Sequence, residues 1–231
     1  MPSSPPLALV VGASRGLGLA LAEEYLKRGW RVVATVRGTA RGKLHDLADR
    51  SRGWLEIESL DIVEPAGIAA LRAKLTTRQF DLLFVNAGVS NGPKETIADV
   101  SIEEFSRVMV TNAFAPMRVI EAFADLVAPT GTIGVMSSGL GSVGNNVSGG
   151  WEVYRASKAA LNTLMRSYAA RNANARALVI IAPGWIRTDM GGPGATFSVE
   201  ENIPRVVDVI ASRAGQRGLR YLDYAGKEVA W

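Results

Sequence analysis

An apolar run, Leu7–Val11, passes directly into Gly12-Ala13-Ser14-Arg15-Gly16-Leu17-Gly18 and then into Leu17–Arg28, which has helical periodicity. This junction constrains the fold more than any other stretch of the chain. Three glycines let a strand turn tightly into a helix and bring main-chain N–H groups close to a ligand beyond the strand end. The start of the helix adds a dipole that favours an anion such as a pyrophosphate. The spacing is Gly-x3-Gly-x-Gly rather than Gly-x-Gly-x-x-Gly, and taken alone it equally suits a turn that holds nothing.

The rest of the chain repeats the alternation of apolar run and helix. Strands are predicted at Arg31–Val36, Trp54–Leu60, Asp81–Val85, Gly131–Met136, Ala177–Ala182 and Leu219–Leu222. Helices are predicted at Pro65–Leu75, from Ser101 towards Val127, at Val153–Ala173, and from Ser198 towards Arg213. Ser101/Glu104 and Ser198/Glu201 have capping-box spacing. Strands joined by crossover helices form a parallel sheet covered on both faces. No repeat, charge block or linker divides the 231 residues. The expectation is one α/β domain, residues 1–231, with a Rossmann-type doubly wound parallel β-sheet. Such sheets bind ligands beyond the carboxyl ends of their strands, at the switch point.

Composition removes several chemistries. With no cysteine and one histidine, His45, the chain has no disulfide framework, thiolate zinc site or histidine-pair metal site, so no metal is assigned. His45 falls on an expected exposed helix and receives no role. The longest uncharged run, Leu126–Trp151, is too broken by glycine to form a membrane helix. The start of the chain has no signal-peptide pattern. A soluble cytoplasmic protein is expected, with no membrane partner. The net charge of +4 comes from scattered basic residues, so a nucleic-acid face is not expected.

The end of the second strand bears on the nucleotide. A free ribose 2′-hydroxyl is usually met by an acidic residue about 20 positions after the glycine turn. Here Val32-Val33-Ala34-Thr35-Val36 runs into Arg37. Arg15, Arg37 and the Ser14 hydroxyl suit a 2′-phosphate, so NADP(H) is expected over NAD. The other reading is two solvated arginines.

Tyr154 and Lys158 stand at i and i+4 on a predicted helix, which puts phenol and ammonium on one face. A neighbouring ammonium is expected to lower the tyrosine pKa from about 10. The pair is common in helices and says little alone. Around it stand Ser137-Ser138 and Asn86-Ala87-Gly88 at strand ends, Pro183-Gly184 after the next strand, and Asn112 inside a helix that its amide disfavours.

Together with Asp61-Ile62 and Thr188, these motifs span almost the whole chain, and it resembles the short-chain dehydrogenase/reductase family in its classical form. A narrower likeness is to C-factor-like and sniffer-type carbonyl reductases. It rests on Ser137–Ser142, Ser148–Trp151, Tyr154–Asn162, Trp185–Gly192 and Leu222–Glu228.

The resemblance implies that Tyr154 is the general acid/base, Ser138 polarises the substrate carbonyl, Lys158 lowers the Tyr154 pKa and binds the nicotinamide ribose, and Asn112 holds a relay water. It implies cofactor contacts at Gly12, Ser14, Arg15, Gly16, Leu17, Gly18, Arg37, Asp61, Ile62, Asn86, Ala87, Gly88, Tyr154, Lys158, Pro183, Gly184, Ile186 and Thr188. It further implies a substrate-binding loop at Met190–Val199 and a homodimer or homotetramer. Trp151 and Trp185 are candidate walls of an apolar substrate pocket.

Two departures stand out. Val11 replaces the threonine usual before the first glycine, and Ser138 lies 16 residues before Tyr154 where many members have 13; Ser142 is the fallback. The implied activity is NADPH-dependent reduction of a small-molecule aldehyde or ketone. Alcohol oxidation at the same site, and a nucleotide-binding signalling protein of C-factor type, remain alternatives.

Overall fold

The computed structural model describes residues 4–92, 95–172 and 176–231. Seven strands form one parallel sheet: β1 (Leu7–Val11), β2 (Arg31–Val36), β3 (Leu55–Ser59), β4 (Phe80–Val85), β5 (Val127–Met136), β6 (Ala177–Ala182) and β7 (Gly218–Asp223). Their spatial order is β3-β2-β1-β4-β5-β6-β7. The order reverses between β1 and β4, and the ligand crevice of such a sheet opens there. In register, Val11 faces Val85, Val85 faces Val135, Met136 faces Ile181 and Ala182 faces Asp223. All carboxyl ends therefore emerge along one edge.

The strands are apolar throughout because both faces are buried. Leu9, Val11, Leu83, Val85, Ile133 and Ile180 face one layer, packed against Leu71, Ile120, Phe123, Leu161 and Met165. Ala8, Val10, Leu82, Phe84, Val179 and Ile181 face the other, packed against Leu21, Tyr25, Leu44, Val206 and Ile210. The first layer holds α3 (Pro65–Lys74), α5 (Ala115–Phe123) and α6 (Glu152–Arg171). The second holds α1 (Gly16–Lys27), α2 (Lys43–Arg50) and α7 (Val199–Ala211).

Both capping boxes expected from the sequence begin helices. Ser101 Oγ accepts the Glu104 N–H at 3.2 Å, opening α4 (Ile102–Met109). At α7 the exchange is reciprocal: Ser198 Oγ accepts Glu201 N–H at 3.1 Å, and the Glu201 carboxylate accepts Ser198 N–H at 2.8 Å.

Several elements differ from expectation. The long helix from Ser101 is interrupted by a π turn at Val110–Phe114 and ends in a 3-10 turn at Ala124–Leu126. β5 starts at Val127 rather than Gly131, because Val127 pairs with Phe80 before the register shifts and Thr132 pairs with Leu82. The turn signals Pro129 and Gly131 hide that first pairing. Helix α7 stops at Ala211; α6 ends at Arg171, and the expected end at Ala173 lies outside the described residues. No described helix is long and apolar enough to cross a membrane.

Candidate active site

The glycine turn sits at the switch point and is bound to the end of β4. The Val11 carbonyl accepts N–H bonds from Asn86 at 2.9 Å and Ala87 at 3.1 Å. Gly12 has φ +85°, and a Cβ there would stand 2.7 Å from Ala87 Cα. A Cβ on Gly18 would stand 2.1 Å from the Gly12 carbonyl oxygen and 2.6 Å from Asn86 Nδ2. That Nδ2 donates to the same carbonyl at 2.8 Å. Thr35 ties the turn to β2, its Oγ1 accepting Gly12 N–H at 3.0 Å.

α1 begins at Gly16 with no side-chain cap and no acidic residue in its first turn. Its first N–H groups are thus open to an anion. Arg37 and Ser14 are exposed beside this opening, and Arg37 enters none of the ion pairs found among the described residues. Arg15 does: it meets Asp189 at 3.0 Å. Both groups are open to water, so an incoming anion can compete for Arg15. Beyond the end of β3, Ile62 is buried and Asp61 Oδ1 accepts the Val63 N–H at 3.1 Å. A dinucleotide therefore fits the residues present: a close-approach turn, an uncapped helix start, and cations beyond β2.

Across the crevice, β5 ends at Met136 and presents Ser137 and Ser138, while α6 presents Tyr154, Ser157, Lys158 and Asn162. The Tyr154 hydroxyl lies close enough to the Ser138 side chain for Ser138 to stabilise its charged form. Ser138 Oγ also accepts the Leu140 N–H at 3.1 Å. Ser142, the fallback, is buried and accepts the Asn145 N–H instead. Lys158 is buried, donates to the Met136 carbonyl at 2.9 Å, and has its Nζ 5.8 Å from the Tyr154 ring centroid. A Cβ on Gly88 would stand 3.2 Å from Asn112 Oδ1 and 3.3 Å from Lys158 Nζ, so the β4 end, the π turn and α6 meet there.

Asn112 owes its place in a helix to tertiary contacts. It is fully buried in the π turn, where Oδ1 accepts Val89 N–H and Nδ2 donates to the Val89 carbonyl, both at 2.8 Å. Nδ2 also donates to Ser157 Oγ at 2.9 Å. Both amide hydrogens are spent, so the side chain has no donor left for a relay water.

The protonation balance corrects one expectation. Burial pushes the Tyr154 phenol up to about 12, against the lowering effect of Ser138 and with a further upward push from Tyr221. Burial also brings the Lys158 ammonium down to about 8. Desolvation penalises both charged forms and outweighs the attraction that tyrosine–lysine spacing suggests.

The open side of Tyr154 is bounded by Trp151, whose ring meets it edge-on at 5.9 Å between centroids. Trp185 is exposed but fixed, its Nε1 donating to the Gly191 carbonyl at 2.8 Å. Ile186 is buried and bridges Phe197. Thr188 Oγ1 accepts the Gly191 N–H at 3.1 Å, and Pro183-Gly184 leads from β6 into this loop. Val199 is already helical, so the loop ends at Ser198.

A family model described as short chain dehydrogenase matches residues 6–196. The chain belongs to the short-chain dehydrogenase/reductase family. Within that family it is of the C-factor and sniffer kind. Among curated relatives, the C-signal of Myxococcus xanthus is 34% identical over 70% of this chain and 99% of its own. A short-chain dehydrogenase/reductase structure from Burkholderia multivorans with bound NADP is 55% identical, with TM-score 0.97, covering 99% of this chain and 100% of that one. A carbonyl reductase from Pseudomonas aeruginosa in complex with NADP is 35% identical, with TM-score 0.92, and the same coverage.

For this family member the buried lysine has a measurable cost. In the unfolded chain Lys158 holds its proton to about 10.4, whereas the folded protein releases it near 8. Between these values the unfolded state binds more protons, so stability rises with pH. From pH 8 to 10 the rise is expected to be about 2–3 kcal/mol. Above pH 10 the phenols of half-buried Tyr154 and buried Tyr221, both raised to about 12, reverse it. Denaturant unfolding of wild type and Lys158→Met at pH 8 and 10 checks this: the variant should lose the rise, and equal slopes would contradict it.

Thr35, Ser157, Asn162 and Tyr221 also belong to the site's surroundings without a sequence signal that singles them out by role. Only the placement of Thr35 and Tyr221 as polar side chains within otherwise apolar strands hints at them.

Proposed function

We propose that this chain is an NADPH-dependent carbonyl reductase that converts a small aldehyde or ketone to the alcohol. The observation that carries the reading is the Ser138–Tyr154–Lys158 cluster, set on the same sheet edge as the open, uncapped glycine turn. Gly12, Gly16, Leu17 and Gly18 bind the pyrophosphate; Ser14, Arg15 and Arg37 bind the 2′-phosphate. Asp61 and Ile62 meet the adenine, Asn86–Gly88 passes along its ribose, and Lys158 takes the other ribose. Pro183, Gly184, Ile186 and Thr188 line the nicotinamide end. NADPH supplies the hydride when bound.

The protein's own part is proton placement. Tyr154 keeps its proton at neutral pH and donates it to the substrate oxygen. Ser138 accepts the Leu140 N–H on a lone pair and donates its own hydrogen to that oxygen, stabilising its developing charge. Lys158, charged below about pH 8, offsets the negative charge left on Tyr154. Trp151 and the 190–198 loop bound the substrate space.

The decisive assay is NADPH oxidation with a panel of aromatic and aliphatic carbonyls. Turnover supports the reductase. NADPH binding with no turnover on any of them supports a nucleotide-binding signalling protein, the reading that the name of the C-signal relative favours. Cofactor choice has its own test. Arg37→Asp removes a charge-assisted contact of about 1.5–3 kcal/mol, so the NADPH KM should rise roughly 10- to 100-fold with little change for NADH. An unchanged preference would refute the assignment of Arg37.

A further inference from the structure

Three consecutive residues at the end of β5 are each gripped by a different side chain. Lys158 donates to the Met136 carbonyl, Ser137 Oγ donates to Asn162 Oδ1 at 2.7 Å, and the Tyr221 hydroxyl donates to the Ser138 carbonyl. The first two partners come from α6. The third comes from β7, two strands away from β5 and 83 residues away in sequence. The Ser137 and Asn162 side chains also lie near the Tyr221 hydroxyl. All three residues are buried, and none is used by the chemistry described above.

We propose that Tyr221 is a positioning residue for Ser138, locking the peptide whose side chain must aim at the substrate oxygen. Beyond Ser137, whose N–H still bonds Ile181, the β ladder no longer holds the strand. The Ser138 carbonyl is instead held from the loop side by Gly141 N–H at 2.9 Å and from the sheet side by Tyr221. Without the phenol only the short 3-10 turn Gly139–Gly141 fixes that peptide, and turns of this length are weak. Ser138 then rotates more freely, and an oxyanion donor loses effect when its geometry is not held.

Tyr221 is itself braced by the end of the chain. The Trp231 ring packs on it at 5.5 Å, Arg166 covers Trp231 at 4.8 Å, and the Trp231 carbonyl accepts Gly144 N–H at 2.9 Å. Val229 N–H bonds the Tyr221 carbonyl at 2.9 Å. The C-terminal segment thus acts on Ser138 through Tyr221.

The kinetic consequence rests on the reductase reading; the structural one does not. Tyr221→Phe should lower kcat about tenfold and leave the NADPH KM within about twofold. In a Ser138→Ala background the same change should have less than a twofold effect, because residues that act as a unit are not additive. Equal losses in both backgrounds would mark Tyr221 as merely structural and overturn the proposal. Hydrogen exchange decides independently of turnover: amides of residues 137–142 should exchange at least about fivefold faster in Tyr221→Phe, and those of residues 7–20 at the wild-type rate. Wild-type protection at 137–142 would equally overturn it. Should Tyr221→Phe not fold, Trp231→Ala is read in the same way. A wild type inactive on every carbonyl removes the reductase reading but leaves the exchange result to judge Tyr221.

Discussion

Tyr154→Phe is expected to reduce kcat for carbonyl reduction by about 10²–10⁴-fold, the usual cost of removing a positioned proton donor. Phenylalanine keeps the ring that meets Trp151 edge-on and lies near Lys158. It removes only the hydroxyl that lies near Ser138. Stability should therefore change by no more than about 1 kcal/mol, and NADPH affinity by no more than a few-fold, since the glycine turn and Arg37 are untouched. The phenol's position near 12 sharpens the argument. Its proton is fully present at working pH, and releasing it costs more than from a free tyrosine because burial disfavours the phenolate. The proton leaves only when a strongly basic oxygen forms beside it, as hydride transfer to a carbonyl provides. Single-turnover absorbance of NADPH with a substrate in excess measures the step directly. A rate within tenfold of wild type would show that another group or water supplies the proton.

How far the sequence carries this reading depends on how local each cause is. Strands buried on both faces are unbroken apolar runs, so Arg31–Val36 and Ala177–Ala182 fall where expected. The signal of the glycine turn is equally local, since its glycines stand two to six residues apart. The π turn is not local. It exists where Asn112 reaches across to Val89 and Ser157, 23 and 45 residues away, and no periodicity announces that. The long Ser138–Tyr154 spacing reads only as a departure until Arg155 is seen. Its buried guanidinium bonds the Gly149 and Gly150 carbonyls at 2.9 and 2.8 Å and holds three successive left-handed residues, Gly149 to Trp151. Likewise, i,i+4 spacing places tyrosine beside lysine but says nothing of how dry the site is, and dryness decides the direction of both pKa shifts. His45, taken as a bystander, accepts the Gly42 N–H through Nδ1 at 3.2 Å at the start of α2, a capping part with no bearing on catalysis.

Gly18→Ala should be the most damaging single-methyl change in the chain's nucleotide edge. The added carbon would lie 2.1 Å from the Gly12 oxygen, 2.6 Å from Asn86 Nδ2 and 3.0 Å from Ala13 Cα. Two of these are backbone atoms, so no side-chain rotation relieves the contact. The turn must move off the end of β4, which breaks the Asn86–Gly12 bond and withdraws the Gly12 amide from Thr35. Overpacking of this kind costs about 3 kcal/mol, or roughly 6–12 °C in Tm for a chain of this size. Cofactor binding suffers separately, because the first N–H groups of α1 are displaced along with the turn. NADPH affinity, read by quenching of protein fluorescence on the folded fraction, should fall more than about 100-fold, equivalent to about 2.7 kcal/mol. The two losses distinguish causes. A lowered Tm with intact NADPH binding would mean the turn repacks without serving the pyrophosphate. Intact Tm and binding together would mean that helix α1 need not approach β1 so closely, and the dinucleotide site would have to lie elsewhere on the sheet edge.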